Sequence, residues 1–446
     1  MSVQLLSVVA LVVLFLIGTV LPLNMGALAF AAAFLVGVLA MGMTPAAIFD
    51  GFPGDLFVTL VGVTYLFAVA QKNGTVDWLV ERAVLMVRGH VAAIPWVMFA
   101  IAAVLTGFGA LGPAAVAILA PIALTFAAQH RINPVLMGLM VIHGAQAGGF
   151  SPISVYGGIV NNLIEKAQIP PNPSVIFASS FLFNVGIAIA LFFVFGGLEI
   201  LRRRRVAPGA AVDPHPEPAS RSVSGHGGTP ATATIAHPAP QAPSGAIRLD
   251  LHRAMTLVGL IVLGAGALAF KFNVGLLAFV VAVVLSLMAP KTQKGAIDKV
   301  SWSTVLLICG VVTYVEVMQS AGTVDQIGAA ISALPSPLLA ALLLCFTGAI
   351  VSAFASSTAL LGAIIPLAMP FLAAGQVSPI GVIAAIAVCT TIVDTSPFST
   401  NGALVVANAQ EAERESVLRT LLIYSAVIAA AGPVIAWLVL IVPNWI

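Results

Sequence analysis

Apolar residues fall in runs of roughly 17 to 25, the length at which a helix crosses a hydrocarbon core. They predict membrane helices near residues 4–22, 26–43, 56–71, 134–165 and 175–200, and again near 251–269, 273–289, 301–319, 380–410 and 418–441. The fourth member of each set is interrupted by polar residues, glycine and proline. Between the third and fourth members lie a short amphipathic stretch (75–89; 323–334) and an apolar segment with Gly, Pro or Ser at its centre (93–128; 337–374). The apolar segment reads as a re-entrant hairpin, with two full crossings joined by a tight turn as the alternative. The fold class expected is an all-α integral membrane protein, built as an inverted repeat of two five-helix halves, each with a re-entrant hairpin and a broken helix.

Both interruptions carry the pattern S-P-x-S-x-x-G, as Ser151-Pro152-Ile153-Ser154-Val155-Tyr156-Gly157 and Ser396-Pro397-Phe398-Ser399-Thr400-Asn401-Gly402, 245 residues apart. Proline removes a backbone donor and breaks a helix, and lipid cannot satisfy the groups thus freed. Such breaks belong where they line a cavity, and an equivalent pair in two halves points to a transporter's substrate site. Pro121 and Pro366, and Pro134 and Pro379, share the same offset of 245, while Gly74-Thr75-Val76-Asp77 matches Gly322-Thr323-Val324-Asp325 at 248. Five crossings per half is odd, so the second half enters the membrane inverted. Of the 18 Lys and Arg, placing the central linker in the cytoplasm leaves only Lys166 and Lys271 outside, in keeping with the inward bias of basic residues. Both termini are then outside.

The expected organisation is an N-terminal membrane repeat (1–200), a flexible cytoplasmic linker (201–250) and a C-terminal repeat (251–446). The linker is rich in Ala, Pro, Ser and Gly, which build no core. Its histidines, His215, His226 and His237, read as solvated residues rather than a metal tract. Overall, 60% of residues are hydrophobic and 8% charged, against about 25% charged in soluble domains. Residues 1–49 carry no charge, so the first run reads as a retained helix and not a cleaved signal. Cys309, Cys345 and Cys389 lie in apolar runs and imply neither a disulfide framework nor a metal site.

The second half of each broken helix presents its N-terminus to the cavity, where free amides favour an anion. Candidate substrate-binding residues are Ser151, Ser154, Ser399, Thr400 and Asn401 at these breaks, and Ser356, Ser357 and Thr358 at the tip Ala355-Ser356-Ser357-Thr358 of the second hairpin. The serines, Thr400 and Asn401 also suit plain helix caps. Candidates for cation binding or coupling are Gly109, Gly112, Gly149, Asp394 and Ser396. No Lys or Arg lies in the interior of a predicted span, so dipoles and hydroxyls hold the anion. Ionisable residues within spans are His143, Glu316 and Asp394, costly in lipid and functional by default. Asp394 stands where backbone unwinds, at the position matching Gly149, as a cation ligand, a proton carrier or an N-cap.

With these features the chain resembles the ion transporter superfamily of divalent-anion/sodium symporters and citrate carriers, and within it the MatC-type dicarboxylate (malonate) carriers. The symporters carry a Ser-Asn-Thr signature at each hairpin tip, contacting a substrate carboxylate and flanking a sodium site. Ser356-Ser357-Thr358 is a near match, whereas Leu111-Gly112-Pro113 departs from it. The resemblance implies an elevator-like carrier, usually a homodimer, in the cytoplasmic membrane, importing a malonate- or succinate-like dicarboxylate with Na+ or H+ and no bound cofactor. A cation/proton antiporter or oxyanion efflux permease on the same architecture is the alternative, and a non-transporting membrane subunit is a third. No spaced cluster of catalytic residues speaks for an enzyme.

Overall fold

The computed structural model describes residues 2–21, 23–85, 90–202, 249–353 and 356–443. The predicted linker core, the basic residues within it and its three histidines, Arg88, Ala355 and the extreme termini lie outside these residues. All regular elements among the described residues are helical. The chain is an all-α integral membrane protein, and eight of its described helices are long and apolar enough to cross a bilayer.

Nine main helices precede the central linker: α1 (Val3–Val20), α2 (Met25–Ala33), α3 (Gly54–Lys72), α4 (Thr75–Leu85), α5 (Ile94–Gly107), α6 (Gly112–His130), α7 (Pro134–Gly148), α8 (Val155–Lys166) and α9 (Pro173–Val194). Nine follow it: α10 (Leu251–Leu268), α11 (Val274–Met288), α12 (Trp302–Ser320), α13 (Thr323–Ser332), α14 (Pro337–Ser352), α15 (Ser357–Ala373), α16 (Pro379–Ile392), α17 (Thr400–Asn408) and α18 (Arg414–Ala436). Short polar residues set the starts. The Asn24 side chain caps α2 and Asn273 caps α11, while Asn133 and Ser378 cap α7 and α16, each just ahead of a proline. A polar cap followed by proline is a strong helix start. These caps recur at the spacing of the sequence repeat.

Packing follows the same correspondence. Helix α7 packs on α5, α6 and α9, and α16 packs on α14, α15 and α18. Across the halves, α2 packs on α12 as α11 packs on α3, α9 on α16 as α18 on α7, and α6 on α17 as α15 on α8. In the first of these exchanged pairs Gly26 meets Gly310, and in the second Gly62 meets Gly275, so tightly that a Cβ would strike the partner's backbone. Small residues permit that approach between membrane helices. The amphipathic helices are anchored by the first helix of the other half. Ser7 of α1 bonds Thr323 of α13 at 2.8 Å, and Thr256 of α10 accepts from Asn73 at 2.6 Å, the residue that also takes the Thr75 hydroxyl of α4.

The buried centre is formed by α7 and α16, whose side chains are buried along almost their whole length. Each leads directly into one of the breaks.

Candidate substrate site

The two breaks are the same turn built twice. After α7 the chain turns at Ser151-Pro152, and after α16 a short 3₁₀ turn (Val393–Thr395) leads to Ser396-Pro397. Proline disfavours helical geometry in the residue before it, so the serine is the natural stopping point. Ser154 then caps α8, with its hydroxyl accepting from the Gly157 amide at 3.1 Å and bonded to the carbonyls of Ser151, at 2.7 Å, and Gly149. Ser399 caps α17 in the same way, accepting from the Gly402 amide at 3.4 Å and bonded to the carbonyls of Ser396, at 2.7 Å, and Asp394, at 2.5 Å. Ser151 and Ser396 accept from the amides two residues on, Ile153 and Phe398, at 3.4 and 3.3 Å. The final glycine is required by contact. A Cβ on Gly157 would collide with the Ser151 carbonyl oxygen, and one on Gly402 with that of Ser396.

Around the second break lies a cavity of about 300 Å3. One wall consists of Pro113, Tyr156, Ser356, Ser357, Thr358, Asp394, Phe398, Ser399, Thr400 and Asn401; the other consists of Gly18, Thr19, Leu23, Asn24 and Met25 from α1 and α2 with Ser303 and Leu307 from α12. Pro113, Tyr156, Thr358 and Asn401 are each the second residue of their own helix: α6, α8, α15 and α17. Four helix N-termini therefore converge on one space, two from each half. Free amides and dipoles at helix N-termini favour an anion, and the lining holds no Lys, Arg or His. Asn401 Oδ1 is buried without a hydrogen-bond partner, and its amide nitrogen lies beside Gly112, 3.6 Å from where a Cβ would stand. Asn24, by contrast, is committed, its Nδ2 donating to the Ser303 hydroxyl and carbonyl at 2.9 Å each.

The structure thus gathers Ser356, Ser357, Thr358, Asp394, Ser399, Thr400 and Asn401 of the expected residues around one cavity. Ser151, Ser154 and Ser396 stand outside its lining, because their hydroxyls complete the turns. Gly109 is in the left-handed region (φ 104°) at the α5–α6 connection, against Val63 of α3. Gly149 lies under the Tyr156 ring, 3.1 Å from where a Cβ would stand, and Gly112 touches the cavity only through Asn401. Ser357 and Thr358 begin α15 rather than forming a loop.

Of the other ionisable candidates, Glu316 is exposed beside Gly51. His143 is fully buried, with Nδ1 2.8 Å from Asn184 Oδ1 and Nε2 2.6 Å from the Tyr424 hydroxyl. Asn184 Nδ2 donates to the Ser180 carbonyl at 2.9 Å, so Oδ1 accepts from His143 and Tyr424 donates to its other nitrogen. That pattern fits a neutral imidazole tying α7 to α9 and α18. Sequence reasoning missed Tyr156, Pro113, Thr19, Asn24 and Ser303. The repeat held one signal, since Tyr156 occupies the position equivalent to Asn401.

Residues 1–149 match the family model described as dicarboxylate carrier protein MatC N-terminus. This segment is similar to the N-terminal part of MatC carriers. The match supports a MatC-type dicarboxylate carrier: a multi-pass membrane transporter with a dicarboxylate substrate and lipid surroundings. No curated protein matches the chain. The MatC match ends at Gly149, at the threshold of the first break, and takes in Thr19, Asn24 and Pro113 of the cavity wall.

Proposed function

We propose that this protein imports a small dicarboxylate of malonate or succinate size across the cytoplasmic membrane, coupled to Na+ or H+. The observation that carries the reading is the convergence of four helix N-termini on a hydroxyl-lined cavity without a basic side chain. Such a lining takes carboxylates by backbone amides and neutral donors and releases them without breaking an ion pair. Asn401, Thr358, Thr400 and Tyr156 supply side-chain donors at three of the four helix ends.

The cavity lies between α1, α2 and α12 on one side and the hairpins and broken helices on the other. This supports an elevator-type movement in which α5–α9 and α14–α18 slide as one body against α1–α3 and α10–α12. We assign residues 1–200 and 251–446 to two inverted repeats joined by a cytoplasmic linker, with a homodimer as the working assembly. The exchanged helix contacts between the halves support the repeat. Coupling is demanded by charge. Importing a dianion against 100 mV costs about 4.6 kcal/mol at roughly 2.3 kcal/mol per charge, so two cations accompany it or it enters partly protonated.

The test is uptake into proteoliposomes under imposed sodium or proton gradients. Accumulation of labelled malonate or succinate under one of them is expected. No uptake of any C3 to C6 dicarboxylate under either gradient contradicts the reading.

A further inference from the structure

Behind the cavity wall, four groups make a chain of oxygens. Asp394 is hydrogen-bonded to Ser357, Ser352 Oγ lies 2.8 Å from Ser357 Oγ, and it also lies 2.5 Å from the Thr390 carbonyl oxygen. All four residues are buried, and only Asp394 and Ser357 reach the cavity. A serine hydroxyl has one proton to donate and a backbone carbonyl has none. The chain has three links, and its two serines supply two protons.

With Asp394 ionised, the links cannot all be made. Serine protons directed to Asp394 and to Thr390 leave the lone pairs of Ser352 and Ser357 facing each other at 2.8 Å. A proton directed from Ser352 to Ser357 instead leaves the Thr390 carbonyl facing a lone pair at 2.5 Å. One further proton satisfies everything: Asp394 donates to Ser357, Ser357 to Ser352, and Ser352 to Thr390. Among the described residues of the elements packed around Asp394, no Lys or Arg stands in its place. Titratable side chains on the elements packed around Asp394 are Tyr156 on α8, His143 on α7, Cys345 and Cys389 on α14 and α16, and Tyr424 on α18. His143 is held by Asn184 and Tyr424. The charged residues of α18 (Arg414, Glu415, Arg419) and of α8 (Glu165, Lys166) sit at the helix ends remote from the break.

We infer that Asp394 carries a proton in this conformation and that the carrier is proton-coupled through it. This rests on the carrier reading proposed above and names its coupling ion. Ser352 ends α14, Ser357 begins α15, and Thr390 and Asp394 belong to α16 and the turn after it. The proton therefore completes a tie between both arms of the hairpin and the broken helix. When it leaves, the carboxyl O–H bond breaks, its electron pair stays on the carboxylate and the proton passes to cavity water. Ser357 then turns its own proton to the carboxylate, and one of the two remaining links is lost. Protonation of the cavity is thereby linked to how tightly the hairpin tip is held.

Two measurements on the purified full-length protein test this. Infrared spectroscopy at neutral pH is expected to show a protonated-carboxyl stretch in the wild type that is missing from Asp394→Asn; a band unaffected by the substitution in folded protein overturns the inference. If Asp394→Asn does not fold, Ser352→Ala replaces it. Removing the acceptor of Ser357 is expected to shift the band without abolishing it, and an unshifted band overturns the inference. In proteoliposomes loaded with a pH dye, malonate import by the wild type is expected to acidify the lumen, and Asp394→Asn to lose that acidification. Acidification equal to wild type in Asp394→Asn contradicts the assignment. Should the wild type move no dicarboxylate at all, the carrier reading fails while the infrared band still decides the protonation state.

Discussion

The first and second breaks share a backbone and differ in what decorates it. Ser154 and Ser399 make the same three bonds, and Gly157 and Gly402 sit against the same carbonyl. Around the second, Ser352, Ser357 and Asp394 form a polar chain; the residues at the matching positions are Gly107, Gly112 and Gly149. The space at these glycines differs. A Cβ on Gly107 would approach nothing closer than 3.9 Å, whereas one on Gly149 would press on the Tyr156 ring at 3.1 Å and the Ala145 carbonyl at 3.3 Å. A carboxylate has no room in the first half, because the Tyr156 ring takes its place. The turn is thus common architecture, and chemistry has been concentrated on one side of the cavity.

The largest effect expected from this inequality falls on Asp394. Asp394→Asn is predicted to abolish gradient-driven accumulation of substrate, measured as net uptake into proteoliposomes, while the protein still elutes as a folded species. Next come the shared glycines. Gly157→Ala and Gly402→Ala are each predicted to destabilise by about 1–3 kcal/mol, the usual cost of forcing a group into filled space, seen as lowered thermal midpoints in detergent. The two losses should be similar; a loss confined to Gly402 would mean that the turns are not equivalent. A smaller cost, about 1 kcal/mol, is expected for Ser352→Ala, which removes two of the three links in the chain, read in the same melting assay. Smallest is Gly107→Ala. It adds a methyl that meets its neighbours only at ordinary contact distance at a helix end, so stability should stay level or rise by about 0.4–1 kcal/mol, and a large loss there would contradict the asymmetry.

Much of the architecture could be read from residue order because its determinants are local. Apolar runs of membrane length, the Asn133-Pro134 and Ser378-Pro379 starts and the two Ser-Pro stops each act within a few residues, and every predicted span appears as a helix or a broken pair. The place of Ser399, Thr400 and Asn401 at a helix start was legible for the same reason. Tyr156 and Pro113 were harder, since their role depends on which helix ends meet. Asn24 and Ser303 lie 279 residues apart and are joined by a hydrogen bond between α2 and α12 that no local pattern announces. The roles of Ser151, Ser154 and Ser396 turned on a local competition. The Ser154 hydroxyl has carbonyl and amide partners within five residues, and those of Ser151 and Ser396 accept from amides two residues on, so all three serve the turn. The link from Ser357 to Asp394 needed tertiary geometry as well, because the hairpin tip and the break are distant in sequence.

The central claim is that a dicarboxylate binds at the four helix ends and is recognised from the second half. Ligand-induced thermal stabilisation tests it most directly, comparing wild type, Asn401→Ala and Gly107→Ala with malonate or succinate. A ligand at a hundred times its dissociation constant stabilises the native state by about 2.7 kcal/mol. The account predicts a raised midpoint in the wild type and Gly107→Ala and a much smaller rise in Asn401→Ala at the same concentration. Equal stabilisation of all three proteins would contradict it.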